Sequence, residues 1–376
     1  MTREAYITGV AEFLPGPPID NDGMEDHLGR VGGRDSVFGR RALRWNGIET
    51  RHYALDHRGR SSHSNASMCA AAVRGALDDA GLGLEELQFL AAATTQGDLL
   101  VPGHASQVQG SLGAGPMEIA SFQSVCASAL MAAKSAWLMI KAGEHDRAVA
   151  CAGEFSSRWF RPSFYDGGDL VDAKGRLHPE ADFLRFTLSD GAGAIVIEPQ
   201  PKPDGLSLRI RSMELTSLAG AFGPCMWAGA VEGDRDLAEG GWSLAGPMAS
   251  HAAGAIPLQQ DFTLLKKIIR AWIGVYLQRV DEGSIVPDDV DHLLCHYSAR
   301  SIRQEIVDLL RNTRGMIPEE RWFSVLSEVG NVGSASIWIM LSRLMRSGKL
   351  LKGQTVLCIV PESGRAMVGF ILLEVV

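Results

Sequence analysis

Hydrophobic and polar positions along this chain follow two rhythms, and their alternation predicts a layered α/β protein. Apolar runs of strand length fall over residues 5–10, 89–94, 147–152 and 192–198. Between them lie stretches with helical spacing. One covers residues 66–80 and stops at Gly81; another holds Cys126 in its first turn, runs to about Lys141 and ends at Gly143. The second half repeats this order, with a strand over 208–215 and an amphipathic helix over 262–279. On that helix Phe262, Leu265, Ile269, Trp272, Ile273 and Tyr276 share one face, and Lys266, Lys267 and Arg270 turn away. A strand over 290–295, a helix over 334–345 and closing strands over 355–360 and 366–375 complete the half. The repetition suggests an internal duplication joined at the Pro-rich stretch 199–203, with residues 1–200 as one half and 204–376 as the other. Two irregular stretches, 155–186 and 219–261, read as functional covers or mobile segments.

Composition narrows the class. The chain of 376 residues, 46% hydrophobic, is long enough for two domains or one duplicated unit. A formal net charge of -8 argues against a general nucleic-acid binder, which would need an excess of Lys and Arg. Cys69, Cys126, Cys151, Cys225, Cys295 and Cys358 are scattered without a C-x-x-C pair, which points to reduced thiols and a cytoplasmic protein. The first ten residues are charged and then strand-like, without the apolar core of a signal peptide, and no run is long enough to span a bilayer.

Candidate chemistry centres on Cys126, which small residues follow at the predicted start of a helix. Unpaired N–H groups and the partial positive charge of a helix N-terminus favour a thiolate and could hold an oxyanion beside it. A free cysteine also packs as a small hydrophobe, so Cys126 alone leaves both readings open. Two partners stand at predicted element ends in the second half: His296, just after the strand over 290–295, and Asn331, just before the helix over 334–345. In an open parallel sheet, reactive groups gather at the carboxyl ends of strands. A histidine there can donate a hydrogen bond or move a proton, and an asparagine amide can donate without titrating. Singly, the first also reads as a satisfied core or surface histidine and the second as a turn and helix cap.

Five runs in register resemble the thiolase-like condensing enzymes, in particular the ketoacyl synthase III branch. They are G-I-E-T-R-H over 47–52, P-G-H-A-S-Q-V-Q over 102–109, the Cys126 run over 121–130, L-S-D-G-A-G-A-I-V-I over 188–197 and G-N-V-G-S-A-S-I over 330–337. The resemblance implies a duplicated five-layered α-β-α-β-α fold, a homodimer, and Cys126, His296 and Asn331 as a catalytic triad. It implies no permanently bound cofactor; the substrates would be thioesters of coenzyme A or acyl carrier protein. Cys126 would take the acyl group covalently, and His296 and Asn331 would hydrogen-bond a malonyl thioester as it loses carbon dioxide. A second oxyanion pocket would use the N–H of Cys126 and a backbone N–H from the loop 361–365, at Gly364.

The chain also departs from the family's pattern. The arginine of the histidine run is displaced to Arg300, Arg41 and Trp45 occur in reversed order, and the final glycine-rich loop reads Glu362, Ser363, Gly364, Arg365. These features look more like the ketosynthases of secondary metabolism, including those making dialkylresorcinol-type products. Arg41, Trp45, Arg300 and Arg303 are the candidate contacts for coenzyme A or the carrier protein; Lys266, Lys267 and Arg270 read first as a solvated face. Acyl transfer to an alcohol or amine is an alternative on the same fold. So is a non-decarboxylative Claisen reaction, for which Glu118 or Glu362 would be the extra base. A non-catalytic partner subunit is the third alternative. No metal site is expected, because on a strand His292 and His296 face one way and Cys295 the other. Residues 190–194 lead into a strand and so make no phosphate cradle.

Overall fold

Runs of small and apolar residues, most of them buried on both faces, make the strands of one mixed sheet. The structure is a computed structural model that describes residues 3–231 and 241–376. Its sheet contains β1 (Tyr6–Phe13), β2 (Phe89–Thr94), β3 (Glu118–Gln123), β4 (Ala148–Glu154), β5 (Gly191–Glu198), β6 (Leu208–Ser217), β7 (His292–Cys295), β8 (Thr355–Glu362) and β9 (Met367–Val375). They lie in the order β7-β8-β9-β6-β1-β5-β4-β2-β3. From the middle outward, β1 pairs antiparallel with β5 and β5 with β4, while β4, β2 and β3 run parallel. The other half repeats that sequence of pairings: β6 antiparallel to β9, β9 to β8, and β8 parallel to β7. The two parts join where Tyr6 pairs with Arg209 and Ile7 with Leu208.

The principal helices are α1 (Val37–Asn46), α2 (Asn65–Ala80), α3 (His104–Leu112), α4 (Ser128–Ala142), α5 (Phe262–Asp281), α6 (Arg300–Leu310) and α7 (Ser336–Arg346). Their ends follow local rules. Ser64 and Ser67 form a reciprocal cap at the start of α2, each hydroxyl accepting the other residue's N–H at 3.0 Å. Gly81, at φ +74°, and Gly143, at φ +79°, stop α2 and α4 in the left-handed region.

Strand alternation divides the core into layers. Phe89, Ala91 and Ala93 of β2 point to the same core as α4, α7 and the inner residues Val356, Cys358 and Val360 of β8. Leu90 and Ala92 point the opposite way, toward α2 and α3. On the far side, Leu357 of β8 and Phe370 of β9 pack with α5 and α6. The result is the α-β-α-β-α order expected from the sequence, with α4 and α7 in the middle layer. The strands and helices expected from periodicity are present with ends shifted by a few residues. Among the strands and helices named above, β3, α1, α3 and α6 were not foreseen.

The two irregular stretches are partly structured. Residues 155–186 hold 3-10 turns and the helix Pro179–Arg185; within 219–261, Met226–Trp227 pairs with Gln259–Gln260. Residues 232–240 of the second stretch lie outside the described residues.

The layers meet most closely at the glycine-rich run of β5. A Cβ built on Gly193 would lie 2.6 Å from Cβ of Trp338 and 3.3 Å from the backbone nitrogen of Ile339, both on α7. Gly193→Ala should therefore lower stability by about 1–3 kcal/mol, the range for overpacking a core. Urea unfolding would show this as a lower midpoint at unchanged slope.

Candidate active site

Polar side chains collect at the carboxyl ends of the parallel strands. Thr95 follows β2, Ser124 follows β3, Glu154 closes β4, His296 follows β7 and Glu362 closes β8. Cys126 lies in the turn between β3 and α4, 7% exposed. The helix begins two residues later than the sequence suggests: Ala127 is its N-cap and Ser128 its first residue, so Cys126 precedes the first turn. Ser128 donates its hydroxyl to the Val125 carbonyl at 2.7 Å, which closes the turn.

Asn331 arrives from the other half of the chain. Gly330 before it has φ +71°, and a Cβ there would lie 3.0 Å from Cβ of Ser189 and 3.2 Å from Cβ of Arg51, so glycine fits both the dihedral and the space. The Asn331 N–H donates to the Thr187 carbonyl at 3.0 Å, and its carbonyl accepts from Ser189 N–H at 2.8 Å. Its side-chain Oδ1 accepts the Gly333 N–H at 2.9 Å, which leaves the Nδ2 hydrogens as the free donor group. Three of the runs singled out in the sequence meet here. Arg51 donates to the Phe186 carbonyl, His52 N–H to Ser189 Oγ, and Ala54 N–H to the buried Asp190 carboxylate.

Cys126 and Asn331 line one cavity. Its walls include Val125, Phe155, Trp159, Phe160, Leu188, Met226 and Leu258, with Thr95, Gln96 and Glu154 as polar members. Glu154 was not anticipated; an acid ending the otherwise small and apolar run of β4 was the available signal. Its Oε1 accepts the hydroxyls of Thr95 at 2.8 Å and Ser334 at 2.6 Å, and the N–H groups of both residues. Burial raises its pKa against the pull of those hydrogen bonds. His296 is not among the residues lining this cavity. It follows β7, its N–H donating to the Ile359 carbonyl at 2.9 Å, and is 4% exposed.

Residues 280–372 match the family model for the 3-oxoacyl-[acyl-carrier-protein (ACP)] synthase III C terminal, and residues 100–202 that for the beta-ketoacyl synthase N-terminal domain. The beta-ketoacyl-[acyl-carrier-protein] synthases III of Paracoccus denitrificans and Hyphomonas neptunium are 26% and 25% identical, over 93% and 95% of both chains. The chain belongs to the ketoacyl synthase III-like condensing enzymes. Its fold is thiolase-like: the solved tetronic acid condensing enzyme AbyA1 superposes with a TM-score of 0.77 at 23% identity, over 98% of this chain and 99% of that one.

In this ketoacyl synthase III-like chain the remaining candidates separate clearly. Gly364 lies against the turn that carries Cys126, where a Cβ would come 2.9 Å from Val125 Cγ2. Trp45, 61% exposed, and Arg41 sit on α1, and Arg300, at the start of α6, packs over Gly47 at the end of α1. Arg303 is engaged elsewhere, paired with Glu319 at 2.8 Å and lying over the ring of Trp322. Glu118 opens β3, at the end opposite Cys126, and pairs with His145 at 2.8 Å with its side chain 52% exposed. It cannot serve as a base at the cavity; a strand of six residues separates them. His292 bonds Gln354, and among the described residues no group of three His, Cys, Asp or Glu side chains could hold a metal ion. None of the described helices is long and apolar enough to cross a membrane.

The electrostatics correct one expectation. Burial, with the carboxylates of Glu362 and Glu154 nearby, pushes the Cys126 thiol well above its ordinary range, so the resting group is a thiol. The sequence suggested an unoccupied helix N-terminus that would favour thiolate. Glu362 occupies it, accepting the Ala127 N–H at 3.0 Å.

Burial alone moves His296 down to about 4, so its ring is neutral at working pH. Below its ordinary value of 6.5 the unfolded chain takes up a proton that the folded chain refuses, so stability falls as the pH drops from 6.5 to about 4. His296→Asn should flatten that part of the pH–stability profile. Urea titrations of both proteins between pH 4 and 7 would measure the difference.

Proposed function

We propose that this protein is a decarboxylative condensing enzyme that carries its acyl group on Cys126. The observation that supports this most directly is the single cavity shared by Cys126, from the first half of the chain, and Asn331, from the second. The halves 1–200 and 204–376 then divide the work, one bringing the nucleophile and the other the donors His296 and Asn331. Cys126 attacks a thioester of coenzyme A or acyl carrier protein, and the thiol of the carrier leaves. The Cys126 N–H and a backbone N–H at Gly364 face the acyl carbonyl. A malonyl thioester then binds with its carbonyl oxygen toward His296 and Asn331, loses carbon dioxide, and its enolate carbon attacks the acyl carbon, breaking the bond to sulfur and releasing Cys126.

Two neutral donors suit this step. A buried neutral imidazole and an amide whose oxygen is already engaged both offer N–H to an oxyanion without first giving up a proton. Each well-placed donor is worth about 3–4 kcal/mol to the developing charge. The apolar walls formed by Phe155, Phe160, Leu188 and Leu258 suit an aliphatic or aromatic acyl chain, and the departures at Glu362 to Arg365 favour a specialised lipid or polyketide pathway.

Carrier contacts fall on α1 and the start of α6, where Arg41, Trp45 and Arg300 offer an exposed ring and two cations to a nucleotide or an acidic protein. Homodimer formation is supported by β3, which ends the sheet with one edge unpaired, and by Leu99, Leu100 and Val101, which are 58%, 84% and 81% exposed. Six free thiols fit the cytoplasm.

Incubation with a panel of acyl-CoA donors should add the acyl mass to the Cys126 peptide, and Cys126→Ala should abolish the adduct. Later addition of malonyl carrier protein should release carbon dioxide and a ketoacyl product. Asn331→Ala should keep the adduct and lower condensation by about 10²–10³. An adduct that passes to an alcohol or amine without carbon dioxide release would replace this reading with acyl transfer.

A further inference from the structure

Glu362 belongs to the run that departs from the family's glycine-rich loop, and its carboxyl is 2% exposed against the turn that carries Cys126. Its Oε1 accepts the Ser124 hydroxyl at 2.6 Å and its Oε2 the Ala127 N–H at 3.0 Å, with Val125 as a further backbone donor. Burial raises the pKa of Glu362, and the Ser124 hydroxyl and the Ala127 and Val125 N–H groups oppose that rise by donating to its charged form, the carboxylate. Its bonds begin two residues before Cys126 and end one residue after it. They use the N–H groups that a helix N-terminus would otherwise offer to a thiolate.

The hairpin that brings Glu362 here is anchored on its other side. Gly364 accepts the Cys225 N–H at 2.8 Å, and Arg365 Nε donates to the carbonyls of Ala219 and Phe222 at 3.2 and 3.1 Å. Gly364 itself leaves no room for a side chain beside Val125 and Glu362. The carboxylate is therefore fixed by two elements, β8 on one side and the β3–α4 turn on the other.

We propose that Glu362 is a positioning residue for Cys126: its carboxylate fastens the Ser124 to Ala127 turn and holds the sulfur as a thiol between turnovers. The inference rests on the reading of Cys126 as the acyl-carrying residue. The charged groups acting on the sulfur are Glu362 from β8 and, across the cavity, Glu154 from β4. The first turn of α4 carries no acidic residue, and His296 beyond β7 is neutral. A buried thiol so guarded resists alkylation and oxidation until a bound thioester draws the sulfur into reaction.

The test follows carboxamidomethylation of the Cys126 peptide by iodoacetamide against pH, read by mass spectrometry so that the other five cysteines do not interfere. Glu362→Gln keeps an acceptor for Ala127 and removes the charge. It should lower the alkylation midpoint by about one pH unit or more. Glu362→Asp retains the charge and should keep the midpoint within a few tenths of the unaltered protein's. A Gln variant that titrates like the unaltered protein would overturn the proposal.

Should the Gln variant fail to fold by circular dichroism, Ser124→Ala is the second arm. It removes a donor that favours the charged form of Glu362 and should move the midpoint downward; no movement would again overturn the proposal. Alkylation needs no substrate, so failure of every acyl-CoA donor to label Cys126 would refute the functional reading while leaving this measurement to stand or fall separately.

Discussion

Two helices, α4 and α7, pass between the two parts of the sheet, and nearly everything else depends on how closely they fit. That space is narrow, and the chain fills it with small side chains: Ala91 and Ala93 on β2, Ala148, Ala150 and Ala152 on β4, and Ala129, Ala132, Ala133 and Ala136 on α4. Gly193 lets α7 approach β5 at the distance of a missing Cβ. Close packing of this kind loses little to voids and resists any enlargement, so the two halves hold a fixed relation. The ends of α4 and α7 are then fixed too, and with them the turns that carry Cys126 and Asn331.

At the strand ends the balance changes from apolar packing to polar satisfaction. Glu154 and Glu362 are buried carboxyls, and a buried charge is tolerated only when donors surround it. Each is tied to a hydroxyl and to backbone N–H groups from a different element, Thr95 and Ser334 for one, Ser124 and Ala127 for the other. These bonds stitch the first half of the chain to the second around the cavity. The two carboxylates, with burial, also disfavour thiolate on Cys126, while burial alone keeps the His296 ring neutral.

Much of the fold could be read from periodicity because burial on both faces leaves a plain signal. β2, β4 and β5 are continuous small or apolar runs, and α2 and α4 end at glycines that must turn left-handed. The elements that escaped have weak patterns for physical reasons. β3 is an edge strand whose polar residues Glu118, Ser121 and Gln123 interrupt any apolar run. α3 is short and holds Gly110, and α6 begins directly after the run that contains His296, where the strand signal dominates. Cys126, His296 and Asn331 were singled out by their places at element ends; Glu154, the acid that closes β4, carried the same signal and was passed over, and Glu118 opens β3 at the end away from the cavity.

By itself the sequence determined the layered architecture, the repeat within it and the residue types available for acyl chemistry, because these follow from local hydrophobic spacing and turn residues. Which of those groups share a cavity was decided only by tertiary structure, since Cys126 and Asn331 are distant in the chain and meet through sheet pairing and the middle helices. The protonation of the site was decided there as well. A helix N-terminus promises a thiolate when considered alone; burial and the Glu362 carboxylate, arriving from the far end of the chain, reverse that preference.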